Sequence, residues 1–293
     1  MGAGGKARSI RWTPISLALL ALIIIAIALG PSLTPFDAYN TYWDGYSEAA
    51  SICLRPVYAL PNNLVNVSSV FIVPEGNVSG SLVTELLDYV INGGRLVILN
   101  GNESFSNQLL KELGVGSRFT GNVIEDPVLN VINEKFPLAF IVSNPVVQTN
   151  ATTIALDDAT TISINDAGAV TIAVTSRFSA AGNSTGPFSV VVAVPVGKGY
   201  VILVSSPGMF MNSMTNETGN AEFLRALCGN GTALYLESAL AGNPPQGVVR
   251  AWLLTAYTYA STYPPINYLI IVMPVIIIMV VLLINEARHG AEV

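Results

Sequence analysis

The sequence predicts an α/β domain, a parallel sheet with helices on its faces, lying between two transmembrane helices. Three observations carry this reading. Helix-period and strand-type runs alternate between residues 45 and 113, two long uncharged apolar runs lie near the chain ends, and 51% of the 293 residues are hydrophobic while 11% are charged. Average soluble domains are about 25% charged. One His and two Cys exclude a zinc finger, an iron–sulfur ferredoxin and a dense disulfide scaffold, each of which needs more ligands or bridges. A net charge of −6 argues against nucleic acid, whose binding takes clustered Lys and Arg.

From Trp12 to Phe36 no residue is charged, and the almost continuous Leu, Ile and Ala of Ile15 to Leu29 predict a spanning helix over 12–30. A second run, Ile266 to Ile284, is interrupted only by Asn267, Tyr268 and Pro274 and predicts another over 264–285. Lys6, Arg8 and Arg11 precede the first run and Arg288 follows the second. The positive-inside bias then makes 1–11 and 286–293 cytoplasmic and 31–248 an external domain of a two-pass cell-membrane protein. Residues 249–263, rich in Tyr and Leu, read as a juxtamembrane helix, and the lipid bilayer becomes an expected partner. The competing reading of the N-terminus is a cleaved signal peptide ending near Ala26-Ile27-Ala28, which leaves one anchor and the same placement.

Within the external domain, Tyr46, Ala49, Ala50, Cys53 and Leu54 repeat at helical spacing from about Gly45. The β-rich run Val67 to Val73 follows. Ser81 reads as the cap of a helix with Leu82, Leu86, Tyr89 and Val90 inward, stopped by Asn92-Gly93-Gly94, and Arg95 to Leu99 as a buried strand. Ser104 to Leu113 is a further helix. The middle is β-rich, with Thr152 to Leu156, Thr160 to Ile164 and Val170 to Val174. Val190 to Val196 and Tyr200 to Val204 flank Gly197-Lys198-Gly199 as a hairpin. Asn220 to Cys228 reads as a helix and Ala233 to Leu236 as a last strand.

Asn66, Asn77, Asn102, Asn150, Asn183, Asn216 and Asn230 each begin an Asn-x-Ser/Thr sequon without Pro, where composition predicts about three. Two readings stand: an Asn-, Ser- and Thr-rich chain making sequons by accident, or a glycosylated domain whose sugars offset its sparse charge.

Several short motifs resemble one family in order and spacing. They are Tyr39-Asn40-Thr41 with Trp43-Asp44-Gly45, then Val90-Ile91-Asn92-Gly93-Gly94-Arg95-Leu96-Val97, then Gly197-Lys198-Gly199-Tyr200-Val201 with Ser206-Pro207, Asn212 and Asn220-Ala221-Glu222-Phe223-Leu224. Over roughly residues 37 to 237 the chain resembles the prokaryotic membrane-anchored domain of unknown function 4350 family. That family is related to external domains of gliding-type ABC transporter accessory proteins and, more remotely, to class I glutamine amidotransferases. The resemblance implies a flavodoxin-like, amidotransferase-like sandwich, here with a β-rich insertion. Relatives usually carry Asp at the position of Ser206, so no role of that carboxylate carries over. In this topology the helices bearing Cys53 and Cys228 lie side by side, which permits a disulfide; two buried thiols are the alternative.

Amidotransferase chemistry needs a nucleophilic Cys and a His base. After Leu99 the chain has Asn100-Gly101-Asn102, and its one His is His289 in the C-terminal tail. Cys–His, Ser–His and histidine-metal chemistry are therefore excluded for the domain. Lys111, Lys135 and Lys198 lack Ser-x-x-Lys spacing. Glu125, Asp126, Asp157, Asp158 and Asp166 could assemble a Ca²⁺ site, although solvated loop acids are the simpler reading. Asp44 reads as a helix N-cap, and Asp37 lies on the other side of the same entrance.

Ligands of open α/β sheets bind beyond the carboxyl ends of the strands. This makes Asn100, Gly101, Ser205 and Ser206, with Asn40, Asp44, Asn212 and Asn220, the candidate ligand residues, against a reading as plain turn chemistry. Uncharged hydrogen-bonding groups suit a sugar or a peptide. The expectation is a non-enzymatic module binding a protein partner or surface glycan, with no cofactor, metal, nucleotide or nucleic acid. An accessory subunit of a transporter or secretion complex and a carboxylate-dependent glycan hydrolase are the alternatives.

Overall fold

The computed structural model of the protein describes residues 32–240 continuously, together with positions 16, 19, 20, 22, 23, 30, 249, 250, 252 and 253. Residues 29–244 form one compact unit, and 1–28 with 245–293 form a second. In chain order the first unit contains α1 (Ser47–Ile52), β1 (Leu54–Val57), β2 (Val67–Ile72), α2 (Gly80–Ile91), β3 (Arg95–Leu99), α3 (Glu103–Glu112), β4 (Arg118–Val123), β5 (Leu138–Ile141), β6 (Thr153–Ala155), β7 (Thr160–Ser163) and β8 (Val170–Thr175). There follow β9 (Ala180–Ala181), β10 (Ser184–Thr185), β11 (Ser189–Val196), β12 (Gly199–Val204), α4 (Asn220–Cys228) and β13 (Thr232–Leu236).

Nine strands form one sheet in the order β1-β13-β2-β3-β12-β11-β8-β5-β6. The first five are mutually parallel; from β12 onward each neighbour is antiparallel. The central strands are apolar runs because both faces are covered. Alternation sorts their side chains. Phe71, Val97, Leu99, Ile202, Val204 and Tyr235 pack with Tyr46 of the α1 entrance and Phe223, Leu224 and Leu227 of α4. Ile72, Leu96, Ile98, Val201, Leu203 and Leu234 pack with Leu86 and Val90 of α2 and Leu109 and Leu110 of α3.

The expected fold class needs correction. The flavodoxin-like sandwich with a separate insertion is instead a mixed sheet: the hairpin partner β11 pairs with β8, so β8, β5 and β6 extend the sheet rather than standing apart from it. Only β4 and β7, and β9 and β10, form small separate pairs. The two transmembrane helices are also corrected. No helix among the described residues is long and apolar enough to cross a membrane. The longest labelled helix, α2, has 12 residues, against the roughly 20 a span needs. The two-pass cell-membrane placement with cytoplasmic termini and an external domain falls with them. Most of the runs 12–30 and 264–285, and of the juxtamembrane helix 249–263, lies outside the described residues.

Local differences have physical causes. The first helix stops at Ile52, and Leu54 opens β1, an edge strand that tolerates Pro56. The cap of α2 is Ser79, whose hydroxyl accepts from Leu82 N–H, rather than Ser81. The cystine forms: Cys53 and Cys228 are bridged with Cα atoms 6.4 Å apart, joining the ends of α1 and α4.

Candidate functional site

The chain leaves β3 into α3 on one face of the sheet and leaves β12 through a 3-10 turn, Pro207–Phe210, into α4 on the other. Because β3 and β12 are neighbours, their carboxyl ends form the switch point at which an open α/β sheet has its crevice. Asn100 and Gly101 follow β3 and Ser205 and Ser206 follow β12; Asn100 N–H donates to Val204 O at 3.0 Å, holding the two ends side by side.

Continued alternation splits these four residues between the faces. Asn100 and Ser205 share the parity of Ile98 and Leu203. The Asn100 amide donates to Thr160 Oγ1 at 3.1 Å, but its Oδ1 and the Ser205 Oγ are buried without a hydrogen-bond partner. Asn100 is 8% exposed and Ser205 1%. Buried polar atoms are almost always paired, so two unpaired polar atoms on adjacent strand ends make this the candidate ligand site.

Gly101 and Ser206 face the other way, toward Tyr46. A Cβ on Gly101 would lie 2.3 Å from Glu75 Oε1, and one on Gly208 2.4 Å from Asp157 Oδ2, so glycine at both positions makes room for a carboxylate. Burial raises the Glu75 carboxyl above its ordinary value. Burial first, and then the neighbouring Asp158, does the same to Asp157. Tyr46 is raised well above the ordinary phenol by its own burial and then by Glu75 and Asp157, which places both acids near one ring. Its hydroxyl donates to Pro207 O. The carboxyl ends of β3 and β12 therefore present a neutral half, Asn100 with Ser205, on one face and an acid half, beside Gly101 and Gly208, on the other. Loop 157–160 roofs the crevice: Ser206 Oγ accepts from Asp157 N–H at 2.9 Å and donates to Asp157 O at 2.7 Å.

The other predicted ligand residues are consumed by the fold. Asn40 donates to Thr34 O and Asp44 Oδ1 and accepts from Tyr42 N–H. Asp44 is thus a partner of Asn40 and not the helix cap; Asn212 Oδ1 takes the Glu48 N–H at the start of α1, while its amide donates to Asn40 O and Tyr42 O. Asn220 is wholly buried and makes four bonds, with Ala155 N–H, Ala155 O, Met209 O and Met214 O. The five acids considered for Ca²⁺ do not assemble. Asp126 closes a turn and accepts from Ser176. Asp166 accepts from Gly116 and Ser117, bonds that outweigh its burial and lower its pKa. Among the described residues no group of three His, Cys, Asp or Glu could hold a metal. That Glu75 and Asp157 both act on Tyr46 has no signal in the sequence, because the residues are far apart along the chain and share no motif.

A cavity of about 770 Å³ opens at the other end of the strands, lined by residues such as Leu60, Val65, Asp88 and Asn92. Its lining lacks the unpaired buried acceptors that distinguish the crevice, which makes the crevice the better candidate despite its roof.

The family model of a domain of unknown function, DUF4350, matches residues 38–228. The chain belongs to this family. The match spans the carboxyl ends of β3 and β12 and both cysteines, so DUF4350 describes most of the sheet domain, stopping short of β13. No curated protein matches the sequence. Among solved structures, the mmIFT52 N-terminal domain is 16% identical at a TM-score of 0.43, covering 55% of this chain and 75% of that one. A cytoplasmic protein of Salmonella typhimurium LT2, STM1381, is 15% identical at 0.36, covering 60% and 72%. A β-galactosidase from Bacillus circulans sp. alkalophilus is 12% identical at 0.37, covering 53% of this chain and 22% of that one. Likenesses this weak carry no argument about what the DUF4350 domain binds or does.

Proposed function

We propose that the DUF4350 domain is a non-enzymatic binding module whose crevice takes a neutral glycan. The observation that carries this reading is the pair of buried, uncharged and unpaired polar groups on adjacent strand ends, the acceptor Asn100 Oδ1 and the Ser205 hydroxyl, which accepts and donates. Such groups match sugar hydroxyls, which donate hydrogen bonds without bringing charge. The Asn100 oxygen does not match phosphate, which brings negative charge and is itself chiefly an acceptor. Titration of the protein with uncharged oligosaccharides, followed by the side-chain amide resonance of Asn100, tests it. Binding should shift that resonance, and Asn100→Ala should weaken affinity about tenfold, the value of one buried hydrogen bond. Saccharides that leave the resonance unmoved, or bind Asn100→Ala equally well, would sink the proposal.

The acid half favours a second reading, a carboxylate-dependent glycan hydrolase. It rests on two carboxyls of raised pKa that each act on Tyr46, since such chemistry uses two acids flanking the scissile bond. Release of nitrophenol from aryl glycosides, lost in both Glu75→Gln and Asp157→Asn, would support it; absence of turnover returns the domain to binding alone.

A further inference from the structure

All seven sequon asparagines are exposed, whereas six of the thirteen other asparagines between residues 32 and 240 are. The contrast in what they do is sharper. Eleven of those thirteen make a side-chain hydrogen bond that closes a turn, caps a helix or staples a strand. Among the sequon residues only Asn102 and Asn216 do so. Asparagine is common in loops because its amide bonds the nearby backbone, and that explanation does not reach the other five. Residues that serve no fold and share one triplet point to something outside the fold that reads the triplet.

We infer that these sequons are acceptors of N-linked glycan. The donor class is a polyprenyl phosphate- or diphosphate-linked oligosaccharide, used by a transferase. The bond from the sugar anomeric carbon to asparagine Nδ2 forms, the bond from that carbon to the donor phosphate oxygen breaks, and the phosphate leaves with the electron pair. One Nδ2 proton is released. The two engaged asparagines remain compatible with this chemistry. Asn102 caps α3 through Oδ1, which accepts from Ser104 N–H at 3.1 Å and stays in place when Nδ2 is substituted. Asn216 donates from Nδ2 to Glu48 Oε2 at 2.7 Å, and a substituted amide retains one N–H for that bond.

Placement supplies a physical role at two of the sites. Asn66 and Asn230 line one shallow depression at the starts of β2 and β13, together with Val65, which is 85% exposed. Sugars attached there would screen an apolar side chain that the sheet leaves in water. Asn183 sits between the paired strands β9 and β10, at the tip of a two-stranded ribbon.

The test is glycopeptide mass spectrometry of the full chain purified from the cells that naturally make it, with Asn77→Gln, Asn150→Gln and Asn183→Gln variants expressed there. The expected result is a hexose- or hexosamine-containing increment on the Asn77, Asn150 and Asn183 peptides, and loss of one increment with each substitution. The peptide holding Asn122 and Asn133, exposed asparagines outside any sequon, should carry none. Recovery of the three sequon peptides at unmodified mass, or sugar confined to Ser and Thr, would overturn the inference. A circular dichroism melt of each variant at the wild-type midpoint excludes misfolding as the cause of a lost increment.

Discussion

Asn220 and Asn100 are both buried asparagines, and the regions around them settle their hydrogen bonds in opposite ways. At the junction of β6, the 3-10 turn and α4, Asn220 spends its carbonyl and its amide on four backbone groups. At the β3/β12 crevice, Asn100 spends its amide on Thr160 and leaves its carbonyl oxygen unpaired beside an equally unpaired Ser205. The same residue type, buried in both places, is a staple in one and an open acceptor in the other. The difference arises from the neighbours: Asn220 is surrounded by an edge strand and turns with unfilled backbone groups, whereas the backbone at the carboxyl ends of β3 and β12 is already paired within the sheet.

The largest expected effect falls on the staple. Asn220→Ala strands one buried N–H and three buried carbonyls and should cost about 3–5 kcal/mol, read as a lowered urea midpoint at unchanged slope. Asn220→Asp should do comparable harm, because a carboxylate would face those three carbonyls without a donor. A midpoint within error of wild type would erase the contrast between the two regions.

Next comes the roof of the crevice. Ser206→Ala removes both bonds to Asp157 and should cost about 1–2 kcal/mol, with faster amide exchange at Asp157 than in the rest of the domain. Uniform exchange across the sheet would show that the loop is held by other contacts.

Ser205→Ala should go the opposite way. Deleting a buried hydroxyl that has no partner removes a desolvation cost and should raise stability by up to about 1 kcal/mol. A loss of stability in a thermal melt would place an internal partner on Ser205 and close the neutral half of the crevice.

The smallest effect concerns the acid half. Glu75 and Asp157 hold their protons to higher pH when folded than when unfolded, since burial raises both carboxyls. Folding therefore loses stability as pH rises from the ordinary carboxylate range through the raised values, and regains it on acidification. Glu75→Gln and Asp157→Asn should flatten that slope and slightly raise neutral-pH stability, a modest gain because both groups are half-exposed and screened. An unchanged slope would put these carboxyls in solvent.

Where local physics decides an element, the sequence shows it. Arg95 to Leu99 follows a Gly-Gly stop as an unbroken aliphatic run, and Asn220 to Cys228 keeps helical spacing up to a glycine; both are found at those bounds. β1 and β4 escape notice for equally local reasons: Pro56 argues against a strand in the one and Gly121 in the other, and only pairing at an edge or in a small separate sheet overrides them. The continuation of the sheet from β11 into β8 is a matter of spatial order and register, which periodicity does not encode. At the candidate site, the crevice rule locates Asn100, Gly101, Ser205 and Ser206 from strand ends alone. Whether each polar atom is spent or open depends on the loops brought over it. The sequence therefore groups Asn100 with Asn212 and Asn220 and does not associate Glu75 with Asp157.

Cys53 and Cys228 are 175 positions apart and bonded, so everything from β1 through α4 lies inside a covalent ring. A protease that nicks one loop within it, such as the stretch 143–150, cannot divide the molecule: the two strands of the cut chain stay tethered until a thiol reductant opens the ring. On a gel the nicked protein runs as one species without reductant and as two with it. The domain can thus lose continuity in a loop and still hold its crevice in one piece.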